Sequence, residues 1–262
     1  MYVTPPHIGR SGPGTKRAAT GTIPYMNETT KTQQSTQQTA RQTTGTPHAT
    51  GMSERTARRL TGVAGIATAV ALIVEVPLYF VYSGPPPDAN VLARLLVGII
   101  ALAFLIVFVT SFRELVRRVN PAYEWAASLA YSTGLVYATI TLVSMGLEAG
   151  AVIATDHSID PTIEVNGTYI LYGSISRLLL ALFLAATGYT IARTNLLPRW
   201  TTRSAYVLAG INLAFVPSLF FGNTPAHFYA ANGWGTTALM GAILSYWLLA
   251  LGISTYRSGA KR

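Results

Sequence analysis

The chain has no cysteine, which excludes a disulfide, a thiolate metal site and a cysteine nucleophile. Histidine is almost as scarce. His7 and His48 fall in a polar N-terminal stretch, and His157 and His227 fall between apolar runs. No apolar run offers an imidazole to a haem, so a b-type cytochrome is not expected. A P-loop, a His-Glu-x-x-His helix and an Asp pair within an apolar run are all missing, so nothing points to nucleotide or zinc chemistry. No cofactor, no metal site and no catalytic residue is expected. Charge is also sparse, at 11% of residues, and it is unevenly signed, with 19 Lys and Arg against 10 Asp and Glu.

In place of charge the chain has long apolar runs. A hydrocarbon layer of ~30 Å needs about 20 apolar residues in helical form. Six runs fit: Leu60 to Tyr82, Val91 to Phe112, Ala126 to Leu147, Ile170 to Ala192, Ala205 to Phe221 and Thr236 to Thr255. Apolar strands of a soluble sheet are far shorter, typically 4 to 8 residues. The expected fold is therefore all-α, a polytopic membrane bundle of six transmembrane helices, integral to the cell membrane.

The few charges sort by side. Arg55, Arg58 and Arg59 precede the first run, Arg113, Arg117 and Arg118 follow the second, Arg193, Arg199 and Arg203 follow the fourth, and Arg257, Lys261 and Arg262 follow the sixth. The intervening loops Ser83 to Asn90, Glu148 to Tyr169 and Gly222 to Gly235 contain no Lys or Arg, and carry Asp88, Asp156, Asp160 and Glu164. Basic residues accumulate in cytoplasmic loops, so both termini are expected in the cytoplasm. The net charge of +9 then reflects membrane orientation, and no nucleic-acid partner is expected. Tyr79, Phe80, Tyr82, Trp125, Tyr169, Trp200 and Tyr206 stand near run ends, where amphipathic rings straddle headgroups and acyl chains.

Two domains are expected. Residues 1–51 are rich in Thr, Gln, Gly and Pro with no apolar periodicity, a composition that cannot offset its ordering entropy, and they read as a disordered tail. They contain no apolar stretch of the secretory type, and Met26 or Met52 is an alternative start for translation. Residues 52–262 form the transmembrane domain.

Within the apolar runs, ionisable residues are costly and by default mark function. Glu75 in the first run and Arg177 in the fourth each lie about 7 residues from the outer end, ~10 Å deep. Opposite charges at one depth are candidates to pair. Arg94 and Glu148 are shallower on the same side, and Arg94 also has the reach to snorkel to headgroups. Thr133, Tyr137, Thr141, Ser144 and Glu148 recur at helical spacing on the third run, as do Thr68, Glu75, Tyr79 and Tyr82 on the first. Lipid does not reward such stripes, so both are expected to face protein or water. Asn212 and Pro217 interrupt the short fifth run, a pattern found beside transporter binding sites. Trp247 sits mid-run, where its N–H needs a partner.

Candidate ligand or ion-pair residues are thus Glu75, Arg94, Glu148, Arg177, Tyr137, Asn212 and Trp247. The competing reading is that these groups pin helices together. Elsewhere, Gly173-Ser174-Ile175-Ser176 lacks the Gly-x-Ser-x-Gly spacing of a hydrolase. Asp156, His157 and Asp160 read as solvated loop polarity rather than a metal site. Asn166-Gly167-Thr168 matches a glycosylation acceptor. The loop Gly222 to Gly235 has the composition either of a recognition lid or of an interfacial aromatic turn.

Arg59-Leu60-Thr61-Gly62, and Gly188-Tyr189 followed by Arg193, Leu196, Leu197, Pro198, Arg199 and Trp200, resemble a prokaryotic family of small multi-pass membrane proteins classed as a domain of unknown function. The resemblance spans Met52 to the C-terminus. It implies an integral membrane protein and brings no activity with it. Two functions are therefore expected to compete. One is binding or transport of a small-molecule ligand through a polar cavity near the outer face around Glu75 and Arg177. The other is a structural or accessory subunit whose partners, besides the lipid bilayer, are another membrane protein or a second copy. Enzymatic activity is not expected.

Overall fold

The computed structural model describes residues 52–165 and 167–260. The proposed tail, 1–51, and Asn166 of the glycosylation motif lie outside the described residues. Within them the chain is helical and contains no strand, and six helices are long and apolar enough to cross a membrane. We call these α1 (Glu54–Leu78), α2 (Asp88–Val119), α3 (Glu124–Ala154), α4 (Ser176–Thr194), α5 (Arg199–Phe215) and α6 (Met240–Ala260).

Their ends follow from local chemistry. Ser53 caps α1 by accepting from the Thr56 N–H at 3.1 Å, satisfying a donor that the first turn leaves free. Pro77 lies in the last turn of α1, and the helix stops at Leu78 rather than at Tyr82. A proline supplies no N–H and crowds the preceding turn, so Tyr79 and Tyr82 lie beyond the helix. Pro87 precedes α2, whose first turn carries Asp88, a favourable charge at a helix N-terminus. Helix α4 ends at Asn195 in the left-handed conformation, with φ 49°, the usual way to close a helix.

From α1 through α5, each helix packs against the one consecutive in sequence, and α6 returns beside α1 rather than beside α5. The α1–α6 seam is a close backbone approach. A Cβ on Gly62 would lie 2.7 Å from the Tyr256 nitrogen, and one on Gly252 would lie 2.8 Å from the Ile66 nitrogen. Lipid offers no hydrophobic drive between helices, so such close packing supplies the attraction. Across the bundle, the Trp247 indole N–H donates to Ser204 Oγ of α5 at 3.0 Å. That bond answers the need for a partner and removes Trp247 from the charged cluster. The outward sides of the helices expose Val70, Leu96, Val136, Val207 and Tyr246, a surface suited to acyl chains and unsuited to water.

The ends of α1 and α2 facing each other, together with the α3–α4, α5–α6 connections, carry the acidic loops, and this face is irregular. A one-turn helix, Pro161–Glu164, is capped by Asp160. A π-helical stretch, Leu171–Ile175, leads into α4 and contains Gly173 in a non-helical conformation. A 3-10 turn, Val216–Phe220, extends α5, and a second π stretch, Gly235–Leu239, precedes α6. Such departures from α geometry often accompany functional sites.

Candidate functional site

Three helices deliver charge to the acidic-loop end of the bundle. On α1, Glu75 is 6% exposed, and the Tyr79 side chain, four residues on, lies against it. On α2, Arg94 is 2% exposed and does not snorkel. Its guanidinium sits 4.1 Å from the centroid of the Tyr79 ring, an attraction that strengthens when water is excluded. Helix α3 runs on to Ala154, so Glu148 belongs to the helix body rather than to its end. It too is 2% exposed.

Gly98, one turn below Arg94 on the same face of α2, makes room for this group. A Cβ there would come within 2.8 Å of Glu75 Oε1 and would strike the Met145 methyl. Thr168 anchors the connection to α4 by accepting at its carbonyl from Ser144 Oγ, 3.2 Å away. Above the charges lies a small cavity of about 50 Å³, whose lining includes Tyr79, Tyr82, Arg94, Asp160 and Thr162. Asp160 Oδ1 accepts from the Thr162 hydroxyl at 2.7 Å and from its N–H at 3.1 Å, which fixes the carboxylate at the cavity wall.

The charges are close enough to influence one another but are not joined. Glu148 and Glu75 both feel Arg94. Even so, the ion pairs within 4.0 Å among the described residues are Arg58–Glu54, Arg113–Glu124, Arg117–Glu114 and Arg118–Glu114, all at the basic end. Arg94 Nε, Arg94 Nη2 and Glu148 Oε2 are buried without a hydrogen-bond partner. Buried polar atoms nearly always find partners, so three orphans in one place require an explanation.

Arg177 is 4% exposed and does not pair with Glu75. It donates instead to Asn212 Oδ1 and to the Tyr172 carbonyl, each at 3.4 Å. Matched depth was the basis for expecting a pair, but α1 packs on α2 and α6 whereas α4 packs on α3 and α5. Tyr137 of α3 is near enough to interact with both charges. Asn212 spends its amide N–H on the Leu208 carbonyl at 2.8 Å. Farther toward the basic face the core is apolar, with Leu105, Phe108, Phe183, Leu184 and Leu248 buried.

The hydroxyl stripes face inward as far as Thr68, Thr133, Thr141 and Ser144, which are buried, but Tyr82 is exposed. Most of these hydroxyls are consumed locally: Thr68, Thr133 and Thr141 each donate to a carbonyl four residues back. Ser174 shares a 2.9 Å hydrogen bond with Ser218, and Ser176 donates to the Leu171 carbonyl at 2.6 Å. Neither serine is placed as a nucleophile beside a base. Gly173 lies under the Ala231 carbonyl, where a Cβ would clash. The loop before α6 is thus packed down on the start of α4. Its Phe228 and Tyr229 pack against Phe215, Tyr229 also meets Phe221, and Trp234 meets Phe228, in edge-to-face or tilted contacts. Among the described residues no group of three His, Asp or Glu is arranged to hold a metal ion.

Tyr172 and Gly98 belong to the site without being singled out in the sequence, and Tyr79 stands on the Glu75 stripe there but not among the candidate residues. Tyr79 and Gly98 were available, since each lies four residues beyond a buried charge. No protein-family model, curated protein or solved structure matches the chain.

Proposed function

We propose that this is a multi-pass protein of the cell membrane that binds a small solute, and carries it, through the polar site around Glu75, Arg94 and Glu148, with Tyr137, Arg177 and Asn212 continuing the polar track inward. The observation behind this reading is the burial of Arg94 and Glu148, opposite charges near enough to interact yet not in contact, with unpartnered atoms on both. A pair serving only to pin helices gains most in direct contact, because the cost of desolvating each charge is offset by proximity and hydrogen bonding. Arg94 lines the cavity, and a buried guanidinium left without a carboxylate there is instead poised for a third party.

The second reading, an accessory subunit with polar helix contacts, draws on Trp247–Ser204 and Ser174–Ser218, which are interhelical links of that kind. It leaves the orphaned atoms of Arg94 and Glu148 without a role. A thermal-shift screen of purified wild type and Glu75→Gln against amino acids, sugars and small cations separates the two. A bound solute at a hundred times its Kd stabilises by about 2.7 kcal/mol. The expected result is such a shift for wild type, reduced in Glu75→Gln. If no solute moves wild type, the transport reading is lost.

In this reading the acidic-loop face is outside and both chain ends are cytoplasmic, as the distribution of arginines favours. With no native cysteine, single introduced thiols report this cleanly. Ser83→Cys is expected to react with a membrane-impermeant maleimide in intact cells, and Arg117→Cys only after permeabilisation. The reverse pattern would invert the orientation.

A further inference from the structure

Resting on that reading, we infer that the ligand is a small zwitterion carrying a carboxylate and an ammonium group, the carboxylate on Arg94 and the ammonium toward Glu148. The free atoms of Arg94 are Nε and Nη2, which form one edge of the guanidinium. That edge takes a carboxylate through two parallel hydrogen bonds. The protein uses the same edge elsewhere: Arg117 Nε and Nη2 reach the two oxygens of Glu114 at 2.8 and 2.9 Å. On Arg94 the fork has no carboxylate, although Glu148 is near enough to interact with it.

Charge balance narrows the ligand further. Glu75, Glu148 and Arg94 together carry more acid than base. With Asp160 at the cavity wall as well, a bare carboxylate seated on Arg94 would add a further negative charge to a site already rich in acid, at high cost in a low dielectric. A bare cation at Glu148 would leave the Arg94 fork unpaired, and an orphaned buried donor is itself costly. A zwitterion satisfies Arg94 Nε and Nη2 at one end and Glu148 Oε2 at the other while adding no net charge. The cavity of about 50 Å³, which Arg94 lines and Glu148 does not, holds only a few non-hydrogen atoms, which favours the smallest members of the class. Arg94 and Asp160 both line the cavity, so its wall presents both signs.

Equilibrium binding to the purified wild-type protein, with glycine, glycine betaine, acetate and methylammonium as probes, tests this. Glycine is expected to bind at least tenfold more tightly than acetate or methylammonium. E148Q should weaken glycine binding about tenfold while leaving any residual acetate binding unchanged, and R94K should weaken it by removing the fork. Glycine betaine has no N–H to donate, so weaker binding than glycine is expected. Acetate binding as well as glycine would make the site anionic in its preference and overturn the inference while leaving solute binding intact. Methylammonium binding as well as glycine would do the same with a cation site. Binding of none of the four, in a wild type that responds to another solute, defeats the zwitterion alone; response to no solute at all defeats the transport reading with it.

Discussion

Arg94→Met is expected to destabilise the folded protein by about 3–5 kcal/mol, the usual cost of removing one member of a buried group of charges. At roughly 2–4 °C per kcal/mol for a chain of this size, the thermal midpoint of the purified protein falls by roughly 10 °C. The reason is what remains. Glu75 and Glu148, 6% and 2% exposed, would repel each other with no cation nearby on α2, and Tyr79 would lose the guanidinium held against its ring. Methionine keeps most of the volume, so packing is not the main loss. A midpoint within about 2 °C of wild type would show that the two acids do not depend on Arg94.

Gly252→Leu has an expected effect of similar size through sterics alone. A Cβ at this position would sit 2.8 Å from the Ile66 nitrogen and 2.9 Å from the Gly62 carbonyl oxygen. Both are backbone atoms of α1, which no rotamer change can move aside. Overpacking ordinarily costs about 1–3 kcal/mol, and a leucine forced between two helix backbones is expected at or above that upper figure. Gly241→Leu, on the same helix, is the control, because a Cβ there meets nothing within 4 Å. It should leave thermal stability within about 0.5 kcal/mol, as substitutions away from packed features do. Equal loss in both variants would mean that the helix resists leucine wherever it is placed, and that the α1–α6 approach is not the cause.

The six helices were legible because membrane-crossing length and composition are local properties of sequence. The inward face of α3 was legible for the same reason, since Thr133, Thr141, Ser144 and Glu148 share one helical phase. Boundaries were less so. The third apolar run ends near Leu147, yet α3 reaches Ala154, because small apolar residues after Glu148 continue the helix beneath a structured loop. What sequence cannot convey is angular position around the bundle. Glu75 and Arg177 share a depth but lie on helices that pack against different neighbours, and depth alone cannot tell them apart. Arg94 illustrates a second limit. Snorkelling and burial are both open to an arginine near a helix end, and the choice falls to tertiary partners, here the Tyr79 ring and the two acids. The π-helical entry to α4 was invisible as well: Gly173 has no side chain because Ala231 lies over it, a contact between segments far apart in the chain.

The most direct test of the central claim, that Glu75, Arg94 and Glu148 form a ligand site rather than a clamp between helices, is the thermal stability of the triple variant Glu75→Gln/Arg94→Met/Glu148→Gln. Replacing a whole buried charged group by neutral residues is often harmless or stabilising, and sites built for function commonly sacrifice stability. The account predicts that the triple variant recovers most of what Arg94→Met alone loses and melts within a few degrees of wild type. A triple variant that melts as low as Arg94→Met, or does not fold, would show that the charges hold the helices together and would contradict the account.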